Sequence, residues 1–542
     1  MAPACYAFRA LMPDSAPRLA RSAGIIGLAT MTSRVLGLAR EQVLAYYFGA
    51  GDTMDAFRVA FRVPNLLRDL FAEGAMSAAF VPTFTGHLTR EGRDRAWKLG
   101  NSVLNGLALV TGVLVVAGFV FAPALVRLFA GDYAEVPGKL ELTITLARVV
   151  LPFLTLVAVA AAFMGMLNAL GHFFVPALSP ATFNVASVVL VVALVPLAPR
   201  VGVDPIMIVA LATLVGGLLQ VAIQWPPLAR EGFRYRASID VHDEGLRRVL
   251  LLMGPGTIGL AATQINVFVN TVLATGQGTG AVSWLDYAFR LMYLPIGLFG
   301  VSVATASTPA ISRLVAAREF GRVRATVAHA VGLTMLLNVP ATFGLMVLAE
   351  PIVRLIFEHG SFTPEDTAAT AGALRYYAIG LMGYSVVRIV SPTFYALGQS
   401  RTPVMISMSS VAVNIALNLT LVRVMGYRGL ALGTSITALI NASAQLMLLR
   451  RPLDGVDADQ MARTFARVLA ASAVMAGVAW GADRALALLL PGEHLAAQAI
   501  RLAGSIGLAL VALGGAALAL RIPEFHEATA LVLGRFRRRP GA

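Results

Sequence analysis

The stretch DAFRVAFRVPNLLRDLFAEGA, residues 55–75, combines the apolar density of a membrane-spanning helix with six ionisable side chains. These are Asp55, Arg58, Arg62, Arg68, Asp69 and Glu73. A charged side chain at the centre of a bilayer costs roughly 2.5–3.5 kcal/mol, so such a cluster normally faces a polar cavity or a partner. At about 100° per residue, all of them except Arg68 share one helical face with Asn65. The stretch therefore predicts a membrane helix with one wet face.

The rest of the chain has the composition of a polytopic membrane protein. Of its 542 residues, 57% are hydrophobic and 13% are charged, and the mean hydropathy is +0.75. Apolar runs of about 20 residues, the length that crosses a bilayer as a helix, recur throughout. We predict an all-α fold with fourteen transmembrane helices, at about 22–48, 54–86, 99–130, 142–168, 173–196, 204–226, 248–275, 280–312, 325–349, 367–397, 403–424, 429–449, 464–490 and 496–520.

Basic residues fall in alternate connections between these predicted helices. Arginine-rich connections lie at 90–98, 230–248, 313–324 and 450–463, and the tail 535–539 is also basic. The positive-inside rule places these connections and both termini in the cytoplasm. The net charge of +14 is then a topology signal and indicates no nucleic-acid partner. Residues 1–21 lack a clean signal-peptide core, so we interpret them as a cytoplasmic extension, and 521–542 as a basic cytoplasmic tail.

The sequence contains two copies of one unit, offset by 227–229 residues. AFR at 60–62 aligns with AFR at 288–290, and ALG at 169–171 aligns with ALG at 396–398. Six helices per copy place both copies in the same orientation, which is the parallel-repeat plan of transporters with a substrate site between the lobes. We predict two pseudo-symmetric six-helix lobes, at 22–230 and 231–450, and two additional helices at 451–520. A duplicated channel or scaffold is the alternative.

A cationic cavity is expected between these lobes. The first and eighth helices contribute Arg34, Arg40, Glu41, Asp286 and Arg290. Arg62 and Arg290 occupy equivalent positions in the two repeats, so they should approach the same space from opposite sides. Guanidinium groups match phosphate oxygens in pairs, which suits a diphosphate. Because Lys98 and Lys139 are the only lysines, however, the prevalence of arginine alone is no indication of phosphate.

Acids in the same helices offer a simpler interpretation, in which internal ion pairs neutralise the cavity. Several of these acids should lie near helix ends, as Asp55 does after GAGDTM, while Glu41 adjoins Arg40. We therefore expect at least three of the six arginines to be unpaired and able to meet an anionic substrate. Asp55, Arg58, Glu73 and Asp286 are further cavity or coupling candidates.

Motifs for catalysis and cofactors are missing from the sequence. It contains no Walker A sequence, no HExxH and no nucleophile elbow, and the single cysteine, Cys5, rules out an intrachain disulfide or a CxxC metal site. We predict a transporter rather than an enzyme, with no catalytic residues, metal or cofactor. The membrane potential or an ion gradient would drive it, with the ion left open.

Three long stretches resemble one known family. They are residues 32–82 (TSRVLGLAREQ through SAAFVP), 168–185 (NALGHFFVPALSPATFNV) and 287–313 (YAFRLMYLP through TPAISR). They are similar to the MurJ (MviN) family, the lipid II flippases of the multidrug/oligosaccharidyl-lipid/polysaccharide exporter superfamily. The resemblance implies fourteen helices in two lobes, with a final pair of helices forming a groove for the polyprenyl tail.

The resemblance also implies a set of site residues. Its cavity arginines fall on Arg34, Arg40, Arg68 and Arg290, with Asp55 as the outer-side acid and Arg62 at a position that is often basic. Three positions depart from the family pattern: Arg58 replaces an apolar residue, Asp69 replaces a base, and Phe289 stands where relatives can carry an acid.

The implied function is translocation of undecaprenyl-diphosphate-linked GlcNAc-MurNAc-pentapeptide from the inner to the outer leaflet of the bacterial inner membrane, by alternating access, for cell-wall synthesis. Lipid II and membrane lipids would be the partners, together with other cell-wall synthesis proteins. The alternatives are an exporter of another lipid-linked oligosaccharide and a membrane scaffold that transports nothing.

Overall fold

The computed structural model describes residues 15–69, 79–240, 244–453, 455, 458–492 and 494–526. Over these ranges the chain is all-α, as predicted, and it divides into two compact units, residues 1–265 and 266–542. Glu73, most of the predicted N-terminal extension and most of the basic tail lie outside the described residues. The predicted domain bounds and the cytoplasmic position of the termini stay predictions.

The described residues of the first unit form eight helices and the start of a ninth. They are α1 (Ser15–Phe48), α2 (Asp52–Arg68), α3 (Val81–Arg90), α4 (Arg93–Ala130), α5 (Lys139–Val150), α6 (Phe153–Ala169), α7 (Phe174–Leu194), α8 (Pro205–Arg230) and α9 (Glu244–Thr275). Within the unit α1 packs on α7, α7 on α8, and α2 on α5. These contacts position the charged segments of α1 and α2.

Ten more helices lie in the part of the second unit that the structure describes. They are α10 (Ala281–Pro295), α11 (Val301–Ala316), α12 (Phe320–Val347), α13 (Ala349–Phe357), α14 (Pro364–Ile379), α15 (Leu381–Ala396), α16 (Arg401–Met425), α17 (Tyr427–Leu449), α18 (Ala458–Leu489) and α19 (Leu495–Ala519). A π-helical turn, Ile296–Gly300, joins α10 to α11. The last pair packs on the rest of this unit, α18 against α12 and α19 against α13.

Ten helical segments in the described residues have the length and hydropathy of a membrane span. Four predicted spans fall outside this set: the first, second, seventh and tenth. Residues 70–78 of the second span lie outside the described residues, and the tenth span is divided at Gly380 into two helices of 16 residues each. The chain is thus a multi-pass membrane protein, while the total of fourteen crossings stays a prediction.

The segment after α8 is fixed along the N-terminal part of α4. The side chain of Asn101 donates to the carbonyl of Arg234, and that of Asn105 donates to the carbonyls of Arg236 and Ser238. At the end of α8, His172 Nε2 donates to Glu231 Oε1 over 2.8 Å. That hydrogen bond, together with the charge of nearby Arg93, holds the pKa of Glu231 below its ordinary value. Polar contacts therefore hold the segment that follows α8 in place.

In the second unit, α15 and α17 approach so closely that only glycine fits between them. A Cβ added to Gly383 would lie 2.5 Å from the backbone carbon and oxygen of Ala438. A methyl group there would have to move a helix backbone, because no flexible side chain can yield. Gly383 therefore sets the separation of these helices.

Gly383→Ala is expected to lower the unfolding free energy by about 1–3 kcal/mol, the usual effect of overpacking. Gly477→Ala on α18 is the matched control, since a Cβ there meets no atom within 4 Å. The control should be neutral or stabilising by about 0.5–1 kcal/mol, because alanine is the better helix former. Thermal unfolding of the detergent-solubilised variants measures both effects. A Gly383→Ala protein as stable as the Gly477→Ala protein would contradict the close approach.

Candidate functional site

The arginine-bearing part of α1 is positioned by α7. Asn184 Nδ2 donates to the carbonyl of Ser33 over 3.1 Å, and the Arg40 guanidinium lies 5.2 Å from the centre of the Phe183 ring. Gly37 faces Asn184 at this contact, so a small residue there lets the two helices approach. Arg34 and Arg40 are both half-buried. Contacts of α7 thus determine where these two predicted site residues stand.

Glu41 on α1 contacts two arginines, Arg40 on the same helix and Arg58 on α2. Its Oε1 lies 2.6 Å from Arg40 Nη2, and its Oε2 lies 3.1 Å from Arg58 Nη2. The Glu41 carboxylate is almost wholly buried, with 2% of its side chain exposed. Two guanidinium groups and one carboxylate leave this triad with a net charge of +1. Arg58, which stands where the family pattern has an apolar residue, therefore has a specific partner in Glu41.

Asp55 is also buried, and its partner is one of the two lysines. Lys139 Nζ lies 3.4 Å from Asp55 Oδ2 and 2.7 Å from Asp52 Oδ1, and 4.0 Å above the ring centre of Tyr133. The Asp55 side chain is 0% exposed. The prediction that Asp55 and Arg58 lie on a wet face is therefore wrong, because the first turns of α2 are packed inside the unit and both side chains make ion pairs there.

The later part of α2 does expose polar side chains. The helix runs through Pro64 to Arg68, and Arg62, Asn65, Arg68 and Asp69 are all half-buried. Arg68 donates to Asp69 Oδ1 from Nε at 3.0 Å and from Nη2 at 2.7 Å. The wet part of the predicted face therefore begins near Arg62.

In the second unit, α10 carries the other predicted pair. Arg290 Nε donates to Asp286 Oδ2 over 2.8 Å, and the two side chains are 41% and 17% exposed. Trp284 Nε1 donates to Asp366 Oδ1 over 2.8 Å and fixes the start of α10 against α14. Phe289, the departure from the family pattern, lies 5.4 Å from the Tyr377 ring and 5.9 Å from the Tyr293 ring, centre to centre. It belongs to an aromatic cluster beside the ion pair.

The expectation of at least three unpaired arginines is wrong. Arg40, Arg58, Arg68 and Arg290 each make an ion pair, because guanidinium groups inside a membrane protein are stabilised by adjacent carboxylates. In the α1–α2 triad, two arginines share the carboxylate of Glu41. Most charges of the candidate site are therefore held in place by neighbouring charged side chains.

One arginine in a predicted span was missed by sequence reasoning. Arg388 on α15 donates a short hydrogen bond to the Tyr293 hydroxyl, and its guanidinium lies 5.6 Å from the centre of the Tyr293 ring. The sequence could have indicated it, because Arg388 lies inside the predicted span 367–397 and an arginine within a membrane span is unusual.

The chain resembles known proteins over nearly its whole length. A family model described as lipid II flippase MurJ matches residues 44–498. A probable lipid II flippase MurJ of Rhizobium meliloti is 33% identical over 93% of this chain and 95% of its own length. One of Vibrio cholerae is also 33% identical, over 91% of this chain and 94% of its own.

Solved structures agree with this relationship. A lipid II flippase MurJ in an inward closed conformation superposes with a TM-score of 0.75 at 26% identity, over 91% of this chain and 99% of its own. An inward-facing multidrug transporter of the MATE family gives a TM-score of 0.66 at 17% identity, over 80% of this chain and 98% of its own, which shows a shared fold. With the family model matching most of the chain, the protein belongs to the MurJ family of lipid II flippases.

Proposed function

We propose that this protein flips lipid II, the undecaprenyl-diphosphate-linked peptidoglycan precursor, from the inner to the outer leaflet of the bacterial inner membrane. The observation that carries the proposal is family membership over most of the chain, with relatives and a superposable structure that are described as lipid II flippases. As a flippase the protein is a transporter and not an enzyme.

The chemistry of the arginines supports a diphosphate as the recognised group. Glu41 holds the Arg40 guanidinium at 2.6 Å and is itself held by Arg58 at 3.1 Å, so Arg40 is oriented before any ligand arrives. Pre-oriented guanidinium groups bind phosphate oxygens with little further loss of conformational freedom. Arg68 and Arg290 are more exposed than the triad and can contact a large head group. We assign Arg34, Arg40, Arg62, Arg68 and Arg290 to substrate binding.

The buried acids have a different role in this proposal. Asp55 is enclosed with Lys139, and Asp286 contacts Arg290, so each of these acids stabilises the cation beside it. We assign Asp55 and Arg58 to the support of the site and not to direct contact with the head group. A shared cavity that receives arginines from both halves stays a prediction.

Alternating access is the mechanism that fits the fold, since proteins of the MATE family with the same fold are known in inward-facing and outward-facing conformations. We propose that the cycle runs without ATP. Moving one charge through 100 mV supplies about 2.3 kcal/mol, which can bias two conformations of a carrier. We further propose that both termini are cytoplasmic and that no cofactor takes part.

The last two helices are proposed to hold the isoprenoid tail. Large apolar side chains on α18 and α19 are exposed, among them Val474, Trp480, Leu488, Leu510 and Val511. Exposed apolar side chains of this kind suit a polyprenyl chain lying in the bilayer.

Exposure of lipid II at the outer leaflet tests the proposed function. Cells that depend on this chain should expose lipid II on the outer face, whereas a scaffold that transports nothing would leave it inside. An exporter of another lipid-linked oligosaccharide would expose that lipid and not lipid II.

A further inference from the structure

Arg388 differs from the paired arginines of the site in the chemistry of its partner. In the part of the chain that the structure describes, its hydrogen-bond acceptor is the neutral hydroxyl of Tyr293, and no carboxylate lies within 4 Å of its guanidinium. Arg290, Arg354 and Arg375 in the same unit each have a carboxylate oxygen within that distance. Among the described residues, the positive charge of Arg388 is therefore held in place by a neutral partner.

The Tyr293 contact places this charge on a particular face of α10. Asp286, Arg290 and Tyr293 are spaced four and three residues apart, so they form one stripe along the helix. Asp286 and Arg290 neutralise one another over 2.8 Å, and Arg388 from α15 adds its guanidinium at the Tyr293 end. The stripe on α10 and Arg388 on α15 together carry a net charge of +1.

The neighbouring aromatic rings keep Tyr293 in position. Phe289 lies 5.9 Å from Tyr293, and it also contacts Tyr377 and Tyr384 at 5.4 and 6.4 Å between ring centres. Arg388 is half-buried, so its side chain is partly accessible. A guanidinium has five N–H donors, and a phenol that accepts from Arg388 can still donate its own proton.

We propose that Arg388, positioned by the Tyr293 hydroxyl, is an additional binding residue for an oxyanion of the transported lipid. This inference rests on the proposed function. The shared chemistry is a phosphate or carboxylate oxygen that accepts from the guanidinium. In lipid II it has two sources, the diphosphate and the carboxylates of the head-group peptide. Tyr293 is a positioning residue, since it acts first by holding Arg388.

The test measures equilibrium binding of two lipids to the full-length protein in detergent. Lipid II carries both oxyanion sources, whereas undecaprenyl diphosphate carries only the diphosphate. Arg388→Gln should weaken lipid II binding by about tenfold or more, the usual effect of losing a charge-assisted hydrogen bond. Arg388→Lys keeps the charge and should retain more binding than Arg388→Gln, with a steeper loss as salt is added.

Arg375→Gln is the matched control, because Arg375 is a half-exposed arginine on α14 whose neighbour is Glu350 at 3.8 Å. It should bind both lipids as the unaltered protein does. Tyr293→Phe should weaken binding less than Arg388→Gln, since the charge remains and only its support is lost. Equal losses for both lipids assign the diphosphate as the ligand, and a loss for lipid II alone assigns the peptide carboxylates.

Failure of this inference is distinguishable from failure of the proposed function. If the unaltered protein binds lipid II and Arg388→Gln binds it equally well, the role of Arg388 is overturned and the flippase assignment stands. If Arg388→Gln is also unstable, the Arg388→Lys variant provides the test. A folded Arg388→Lys protein that binds lipid II no better than Arg388→Gln would reject a role for the charge. If the unaltered protein binds neither lipid, the proposed function itself is overturned, and this inference with it.

Discussion

Arg290→Ala is expected to abolish growth support by this protein in cells that lack their own flippase, while the variant still inserts in the membrane. The Arg290 guanidinium lies 2.8 Å from Asp286, and its side chain is 41% exposed, so it can contact a ligand directly. Loss of a charge-assisted hydrogen bond costs about 1.5–3 kcal/mol, which corresponds to about tenfold to 150-fold weaker binding. The variant also removes one positive charge from the place that an anionic head group would approach, which weakens binding further. Growth after depletion, with membrane levels measured by immunoblot, is the readout.

The control for Arg290→Ala is Arg354→Ala on α13. Arg354 is 42% exposed and pairs with Glu350 at 3.0 Å and Glu358 at 3.3 Å, so it matches Arg290 in exposure and in pairing four residues along a helix. It does not belong to the proposed binding set, and Arg354→Ala should support normal growth. The assignment of Arg290 would be rejected by normal growth with Arg290→Ala, or by equal growth defects in the two variants at equal membrane levels.

Glu41→Gln is expected to destabilise the first unit strongly. A glutamine has the size of glutamate but no charge, so it would leave the Arg40 and Arg58 guanidinium groups close together without their shared anion. Removing one partner of a buried ion pair usually costs about 3–5 kcal/mol, because the remaining charge stays desolvated. Unfolding of the detergent-solubilised variant should therefore begin at a clearly lower temperature or denaturant concentration.

Two further variants test the reason for this effect. Glu91→Gln removes a carboxylate that is 47% exposed, 2.7 Å from His87 and 3.4 Å from Arg95, and should cost less than about 1 kcal/mol. Adding Arg58→Met to Glu41→Gln removes the second cation and should restore part of the lost stability. Unaltered stability of Glu41→Gln, or a double variant no more stable than the single one, would show that the triad is not held by its shared carboxylate.

Hydropathy predicted where helices lie but not where they are interrupted. The fourth predicted span, 142–168, contains the end of α5 and the start of α6, which meet at Leu151 and Pro152. The tenth span is divided at Gly380. An average over about 20 residues does not register a break of one or two residues. Proline lacks the N–H that would continue the helix ladder, which is the physical reason for the first interruption.

Charge pairs were predictable only where the partners are close in sequence. Arg40 and Glu41, and Asp286 and Arg290, are neighbours along one helix, so the sequence itself brings them together. Asp55 and Lys139 are 84 residues apart and meet only because α2 packs on α5. Arg388 was harder to predict, because at a repeat offset of 228 it aligns with Ala160. The first repeat therefore has no arginine at the equivalent position that would have drawn attention to it. Packing between helices, and not periodicity, decides such contacts.

The most direct test of the central claim is the amount of lipid II exposed at the outer face of cells whose only flippase is this chain. After depletion of the resident flippase, outer-leaflet lipid II is measured by its accessibility to an externally added enzyme that cleaves it. Expression of this chain should restore exposure to the level before depletion, and Arg290→Ala at the same membrane level should not. Cells that express the unaltered protein in the membrane but keep lipid II inaccessible would contradict the account.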